Sequence, residues 1–375
     1  MQLNGVIIED TFAEAFRMWA ARLVVTAIDE RWVRTAAAEA CGYGTSVIGC
    51  DAEAAVERLL TPDETPDGRP GAALLFFAFN AEGLKKALPN RTGQCLMTCP
   101  TTAVYDGMPD AGRTENADTA RIDLGKKLRF FGDGHQKSKV VEGEGRHEGT
   151  KGQREEGTKG RRDEVTKGER HEGTEARRHE GDQTSAALNP TPDTRHPTPA
   201  NANPTPHTLD PKPCTPTRLW RIPVMDGEFT CVESVGAMKA IGGGNILVCG
   251  RDQRSTLDAT MAAVDAIAPM PQVITPFPGG IVRSGSKVGS RYKGMFASSN
   301  DAFCPTLRGK VATQLRDGVN CVYEIVINGL SQQAIALATR CAIEAACKHP
   351  ILAISAGNYG GKLGKFHFKL REVVA

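Results

Sequence analysis

Three things are scarce in this 375-residue chain: long apolar runs, paired cysteine motifs, and histidines outside one segment. No apolar run approaches the length that crosses a bilayer, so no membrane span is predicted. Met1 to Asp10 lack a basic start followed by an apolar stretch, so no secretory leader is expected either and the protein reads as cytoplasmic. The cysteines number 11, an odd count without any Cys-x-x-Cys, which suits reduced thiols better than disulfides or a zinc site. Charge of one sign is also lacking. The net is +2 with no basic face in the ordered stretches, so no nucleic-acid partner is expected.

What is present falls into three parts. After His135 the composition changes abruptly. An octad repeats through Thr150, Thr158, Thr166 and Thr174, and then a heptad through Pro190, Pro197, Pro204 and Pro211. Neither unit carries apolar residues for stacked repeats to bury. Residues 136–217 are therefore read as a disordered insertion between blocks 1–135 and 218–375. Its Arg and His could bind anions, metal or a partner. Interleaved glutamates favour the plainer view, a tandem expansion tolerated in a surface loop. Most of the histidines lie there, leaving His349 and His367 in the ordered C-terminal block.

Both blocks mix apolar runs with amphipathic patterns. Thr11 and Glu14 form a capping-box pair, with Phe12, Phe16, Trp19 and Leu23 following at helical spacing. Asp51 heads a second predicted helix bearing Val56, Leu59 and Leu60. Ser255 and Ser331 precede two more. Strands are predicted at 45–50, 73–79, 94–98, 245–249, 322–327, 351–355 and 365–370. A faint echo links the halves: Gly42 to Gly44 and Gly242 to Gly244 each precede a strand, and Thr98-Cys99-Pro100 parallels Thr275-Pro276. The reading is α+β, with two ferredoxin-like lobes; a doubly wound sheet competes but lacks regular crossovers.

Chemistry is most legible at Glu324, within Cys321 to Ile327. Alternation places Val322 and Val326 on its side of a strand, and Tyr323, Ile325 and Ile327 on the other. A carboxyl there loses hydration and tends to stay protonated, able to donate to a developing oxyanion or relay a proton. A structural ion pair with Lys362 or Lys365 is the alternative. A second candidate is the loop through Pro278, Gly279, Gly280, Ser284, Ser286 and Lys287. It imitates a phosphate loop but has its lysine one residue late and no helix after it. It reads as the lining of a polar cleft or an ordinary turn. Asn358, Tyr359, Gly360, Gly361 and Lys362 form a third, glycine-rich candidate for close contact with a planar or anionic ligand. Arg69 is placed in an exposed tight turn. Cys95 and Cys99 read as buried structural thiols.

These segments carry a resemblance. Asn4-Gly5-Val6 and Ile8 to Phe16 are similar to the opening of formylmethanofuran:tetrahydromethanopterin formyltransferases. The similarity continues through Thr65 to Gly71, Gly93 to Cys95, Thr98 to Ala103, Phe130 to Gly134, Ile274 to Ser290, Tyr323 to Ile327 and Ala356 to Lys365. The insertion has no counterpart. The resemblance implies two ferredoxin-like lobes related by duplication and no metal or permanently bound cofactor. It also implies that a tetrahydromethanopterin-type pterin and a methanofuran-type carrier are substrates meeting in a cleft, and that the protein is a homotetramer. Membership of a formyltransferase/hydrolase complex is implied as well, with Glu324 as the catalytic residue. The chain departs from the acidic archaeal members in being almost neutral. A non-catalytic assembly and cofactor-binding subunit of such a complex is the rival reading.

Overall fold

The computed structural model describes residues 1–114, 116–143, 217–286 and 299–375. The repeats expected to be disordered, and Lys287 with the residues after it to 298, lie outside these. The described residues on both sides of 144–216 belong to one compact unit.

Twelve elements build the frame. The first six are β1 (Phe12–Thr26), α1 (Glu30–Cys41), β2 (Glu53–Leu60), β3 (Gly71–Ala78), α2 (Ala81–Arg91) and β4 (Ala103–Asp106). The second six repeat the order: β5 (Ser234–Gly250), α3 (Gln253–Ile267), β6 (Val273–Ile274), β7 (Cys321–Gly329), α4 (Gln332–Ala346) and β8 (Ala353–Ser355). Pairing gives β2-β3-β1-β4 in one half and β6-β7-β5-β8 in the other, antiparallel throughout. The two long strands join the halves through antiparallel pairing of Phe16–Ala21 with Ala237–Gly242. One mixed sheet thus runs across the described residues, with parallel pairing only where β8 meets Val6–Ile8 and β4 meets Gly227–Val232.

Helices cover one face of each half. α1 and α2 bury Val33, Ala36, Leu84 and Leu88 against Leu23, Val25, Leu74 and Phe76. α3 and α4 bury Ala259, Ala263, Ile335 and Ala342 against Ile246, Val248, Ile325 and Ile327. Over the opposite face of the second half lies the segment 300–320, whose Phe303 and Val319 pack on Leu247, Cys249 and Ala353. Glu324 belongs to that face, since it stands directly across from Leu247.

The α+β class holds, and so do the helices after residues 252 and 331 and the strands at 73–78, 245–249, 322–327, 353–355 and 366–369. Four readings fail. Phe12 to Thr26 is a strand, not a helix, because it pairs on both edges and is buried along most of its length. Glu53 to Leu60 is also a strand, paired to β3, and Asp51 instead bonds the Arg91 guanidinium at 2.6 Å. Residues 94–98 form no strand: Thr92–Leu96 is a π-helical turn continuing α2. Residues 45–50 make turns. At α3 the cap is Asp252, which accepts from the N–H of Ser255. The span expected to be disordered also includes ordered chain at its start. Lys139–Gly143 is a strand paired in register with Thr217–Val224, Gly143 opposite Thr217.

Candidate functional site

Glu324 sits mid-strand in β7, where Val322 and Val326 flank it on the same face. Its carboxyl is gripped from two directions. Asn245 of β5, diagonally across the ladder, donates its Nδ2 to Oε1 at 2.7 Å. Asn300, at the head of the covering segment, donates its Nδ2 to Oε2 at 2.9 Å. Burial pushes the carboxyl above the usual glutamate range, and the two amides pull against that without cancelling it. Both of these donors are neutral amides, so the ion pair with Lys362 or Lys365 is not what holds Glu324.

Two further segments converge on this carboxyl. Val282 forms a bridge with Glu324 through both backbone hydrogen bonds, 2.7 and 2.9 Å. That fastens the Pro-Gly loop to the strand at its acidic residue. Gly357, just past β8, donates its N–H to Asn245 Oδ1 at 3.0 Å. A Cβ on Gly357 would stand 2.7 Å from Asn245 Nδ2 and 3.1 Å from Asn300 Oδ1.

The other predicted residues fall less tidily. Pro278 and Gly279 are exposed in a tight turn, while Gly280 is buried. Gly280 spends its N–H on the Phe277 carbonyl at 2.7 Å, so it is not free to receive an oxyanion. Gly279 and Gly280 both have positive φ, and a side chain on Gly280 would collide with Thr275 and Val264. Ser284 and Ser286 are exposed in the irregular run after Val282. Tyr323 points to the face opposite Glu324, as its neighbouring position in the strand requires.

The loop of Asn358, Tyr359, Gly360, Gly361 and Lys362 does embrace an anion, but that anion belongs to the chain. Glu14 accepts four backbone N–H groups: Tyr359 at 2.7 Å, Gly361 at 3.1 Å, Leu363 at 2.5 Å and Gly364 at 2.5 Å. Glu14 is 1% exposed; burial would raise its pKa, but the four donors outweigh it and hold the carboxyl below its ordinary range. Asn358 ties the loop to Thr11 Oγ1 at 2.9 Å. The side-chain partners of Glu324 are Asn245 and Asn300, not Lys362.

Arg69 lies in the first half and is half-buried rather than exposed. Its guanidinium bonds Asp67 at 2.8 Å, the Thr101 carbonyl at 2.6 Å and the Thr26 hydroxyl at 2.9 Å. It borders a cavity of about 310 Å³ with Thr101, Asp226 and Phe229. A larger cavity of about 420 Å³ opens on the Glu324 face, bordered by Thr11, Cys249, Phe303, Gln314, Arg316 and Ser355. Glu324 does not line it; Leu247 stands between Glu324 and Ser355 in the sheet. Burial raises the Cys95 and Cys99 thiols above their ordinary value, which suits inert side chains, although both are half-buried rather than fully enclosed. Among the described residues, no group of three or more His, Cys, Asp or Glu could hold a metal ion, and no helix is long and apolar enough to cross a membrane.

Sequence reasoning singles out Glu324 and passes over the two asparagines that bond its carboxyl. Asn245 carries a signal, as an amide heading the apolar run Ile246 to Val248. Asn300, in a polar run with Ser298, Ser299 and Asp301, carries none.

Residues 1–148 match the family described as formylmethanofuran-tetrahydromethanopterin formyltransferase, and residues 227–373 match its proximal lobe. The two matches leave 149–226 between them. The chain is 44% identical to the formylmethanofuran--tetrahydromethanopterin formyltransferase of Rhodopirellula baltica, over 100% of this chain and 93% of that protein. It is 40% identical to a subunit of the formyltransferase/hydrolase complex of Methylorubrum extorquens, over 99% of this chain and 97% of that one. Among solved structures, the formyltransferase from Methanosarcina barkeri superposes with a TM-score of 0.73 at 38% identity, covering 100% of both chains. A chain of the crystallised formyltransferase/hydrolase complex from Methylorubrum extorquens, bound to methylofuran, superposes with a TM-score of 0.74 at 40% identity, covering 100% of this chain and 99% of that one.

Proposed function

Because the chain belongs to the formylmethanofuran-tetrahydromethanopterin formyltransferase family, we propose that it moves a formyl group between a methanofuran-type amine and N5 of a tetrahydromethanopterin-type pterin. The observation that carries the chemistry is the half-buried Glu324, whose carboxyl is raised by desolvation in an apolar strand and steadied by two neutral amides. In the direction from furan to pterin, the pterin nitrogen attacks the formamide carbon and the carbonyl π pair moves onto oxygen. The protonated Glu324 donates a hydrogen bond to that oxyanion. Collapse re-forms the carbonyl and expels the furan nitrogen, which takes up the proton given up by the attacking amine. Glu324 relays it. Holding both carriers side by side supplies much of the acceleration.

The matching strand–helix–strand–strand–helix–strand orders support two ferredoxin-like lobes related by duplication, with boundaries moved to 1–143 and 217–375. A cytoplasmic homotetramer is our reading of the assembly. The relative named as a complex subunit supports association with hydrolase subunits as well. The intact Glu324 cluster speaks against a purely scaffolding role.

The test is formyl transfer between the two purified carriers by the purified protein alone. Glu324→Gln should lower kcat by roughly 10²–10⁴-fold, the usual worth of a positioned acid. Turnover like the parent's would remove Glu324 from the reaction, and an inactive parent would favour the scaffold.

A further inference from the structure

The two asparagines at Glu324 are placed as a matched pair. One donor meets each carboxylate oxygen, at 2.7 and 2.9 Å, from opposite walls of the site: Asn245 from the sheet, Asn300 from the segment that covers it. A side-chain amide can turn over, presenting oxygen instead of nitrogen. Asn245 is prevented from doing so, because its Oδ1 accepts the N–H of Gly357 at 3.0 Å. A reversed amide would set its oxygen against Glu324 and its NH2 against that N–H. Asn300 is held by its backbone instead: its N–H donates to the Gly285 carbonyl at 2.7 Å, at the end of the run that bridges Glu324 through Val282. Gly357 closes the assembly from above, in a space that admits no side chain.

We propose that Asn245 and Asn300 are positioning residues, which fix the plane and rotamer of the Glu324 carboxyl and leave its remaining lone pair and proton directed at the bound formyl group. The proposal rests on the catalytic reading of Glu324. It extends that reading to two residues with no acid, base or nucleophilic chemistry of their own. Each carboxyl oxygen has two lone-pair directions, so an amide donor can occupy one while the other carries the proton. With both oxygens held, the carboxyl loses the torsional freedom that would otherwise spread the proton over several orientations. The charged groups nearest in the chain are Arg283, beside the bridging Val282, and Asp301, which accepts from the Ser299 hydroxyl at 2.8 Å. Neither contributes to the shift of Glu324; only burial and the two asparagines do.

The test uses the full chain and one readout independent of turnover. Infrared pH titration isolates the Glu324 carboxyl as the difference between the parent and Glu324→Gln. In Asn245→Ala and Asn300→Ala the protonated carbonyl band should move, to higher frequency in the variant that strips the donor from the C=O oxygen. It should also persist to higher pH, because burial is less opposed. Turnover should fall by about ten-fold or more in kcat with KM for both carriers within about two-fold, and the alkaline limb of the kcat profile should move up. Gly357→Ala should reproduce the kcat loss by displacing both amides. Should Asn245→Ala fail to fold, Asn300→Ala carries the test, since Asn300 stands outside the sheet. An unchanged band and titration in the folded asparagine variants overturns the proposal, as does a loss confined to KM. Should Glu324→Gln turn over like the parent, the catalytic reading falls while the band still reports whether the asparagines hold the carboxyl.

Discussion

Glu324 binds a proton more tightly in the folded chain than an ordinary glutamate does, because burial disfavours its charge. That difference has a sign for stability. Below the unfolded pKa, about 4.3, both states are protonated and the residue contributes no pH dependence. As pH rises through and beyond that value, the unfolded chain ionises freely while the folded one resists. Folding is then progressively disfavoured until the folded pKa is passed. Glu324→Gln removes this titration while setting its own NH2 against one asparagine donor, a cost that does not depend on pH, so its Tm relative to the parent should rise steadily as pH is taken from acid to mildly alkaline. Melts of the two proteins at several pH values would show the divergence; parallel curves would mean the carboxyl is not held protonated. Glu324 is legible in the sequence because an acid in an apolar strand is an anomaly that demands a reason. Its partners are not, since an asparagine in a polar run is unremarkable until the chain folds it over a carboxyl.

Elements are harder to read than residues, and the two mistaken helices have one cause. Phe12 to Thr26 and Glu53 to Leu60 are rich in Ala, Glu, Arg and Leu, good helix formers, and the first has apolar residues at helical spacing as well. Both became strands because neighbouring strands required edges to pair with, and long-range pairing outweighs a local preference worth tenths of a kcal/mol per residue. Glu14, which the sequence pattern assigns to a helix cap, shows the consequence. Facing inward from a strand, it reaches the glycine loop 350 residues away and satisfies four of its N–H groups. The glycine pattern points to anion binding, and the loop's geometry does bind one; the sequence alone could not say that the anion is internal. Glu14→Ala should cost at least about 1–3 kcal/mol, the penalty for one buried donor left unpaired. Denaturant titration would measure it, and Glu14→Gln, which keeps one acceptor oxygen, should lose less. Because the folded pKa is depressed, this stabilisation is complete above the unfolded value of about 4.3 and drains away as pH falls through the folded one. Acid unfolding that begins at the same pH in parent and Glu14→Gln would refute the assignment.

For the whole molecule, the repeated order of elements is legible only as a faint echo, and the residues that suggest it do not correspond. Gly42 to Gly44 follow α1, whereas Gly242 to Gly244 lie inside β5 at a register shift. What matches is pairing: α1 is capped by Asp29 and α3 by Asp252, each shortly after the long strand of its half. Counting back from those caps sets Val24 against Leu247, and their partners across the ladder are Ala73 and Glu324. One half therefore carries an acid where the other has a methyl group, so the repeated frame places a carboxyl at this position in one half only. The same frame fixes what can be removed. Gly143 and Thr217 are direct neighbours in an antiparallel ladder, so the chain leaves and returns at one point, in the geometry of a hairpin. Replacing 144–216 by Asn-Gly closes that hairpin with a two-residue turn suited to the twist of its strands. The shortened protein should keep its Tm within a few degrees and its formyl-transfer rate within about two-fold, since lengthening a surface loop costs only slowly growing closure entropy. Starting the deletion at residue 136 instead would remove Lys139–Gly143, which pairs with Thr217–Val224 and through it braces Gly227–Val232 and β4. That version should be markedly less stable. Equal melting of the two deletions would show that this sheet edge contributes little, and loss of transfer in the Asn-Gly version would assign the repeats a part in the reaction or its assembly.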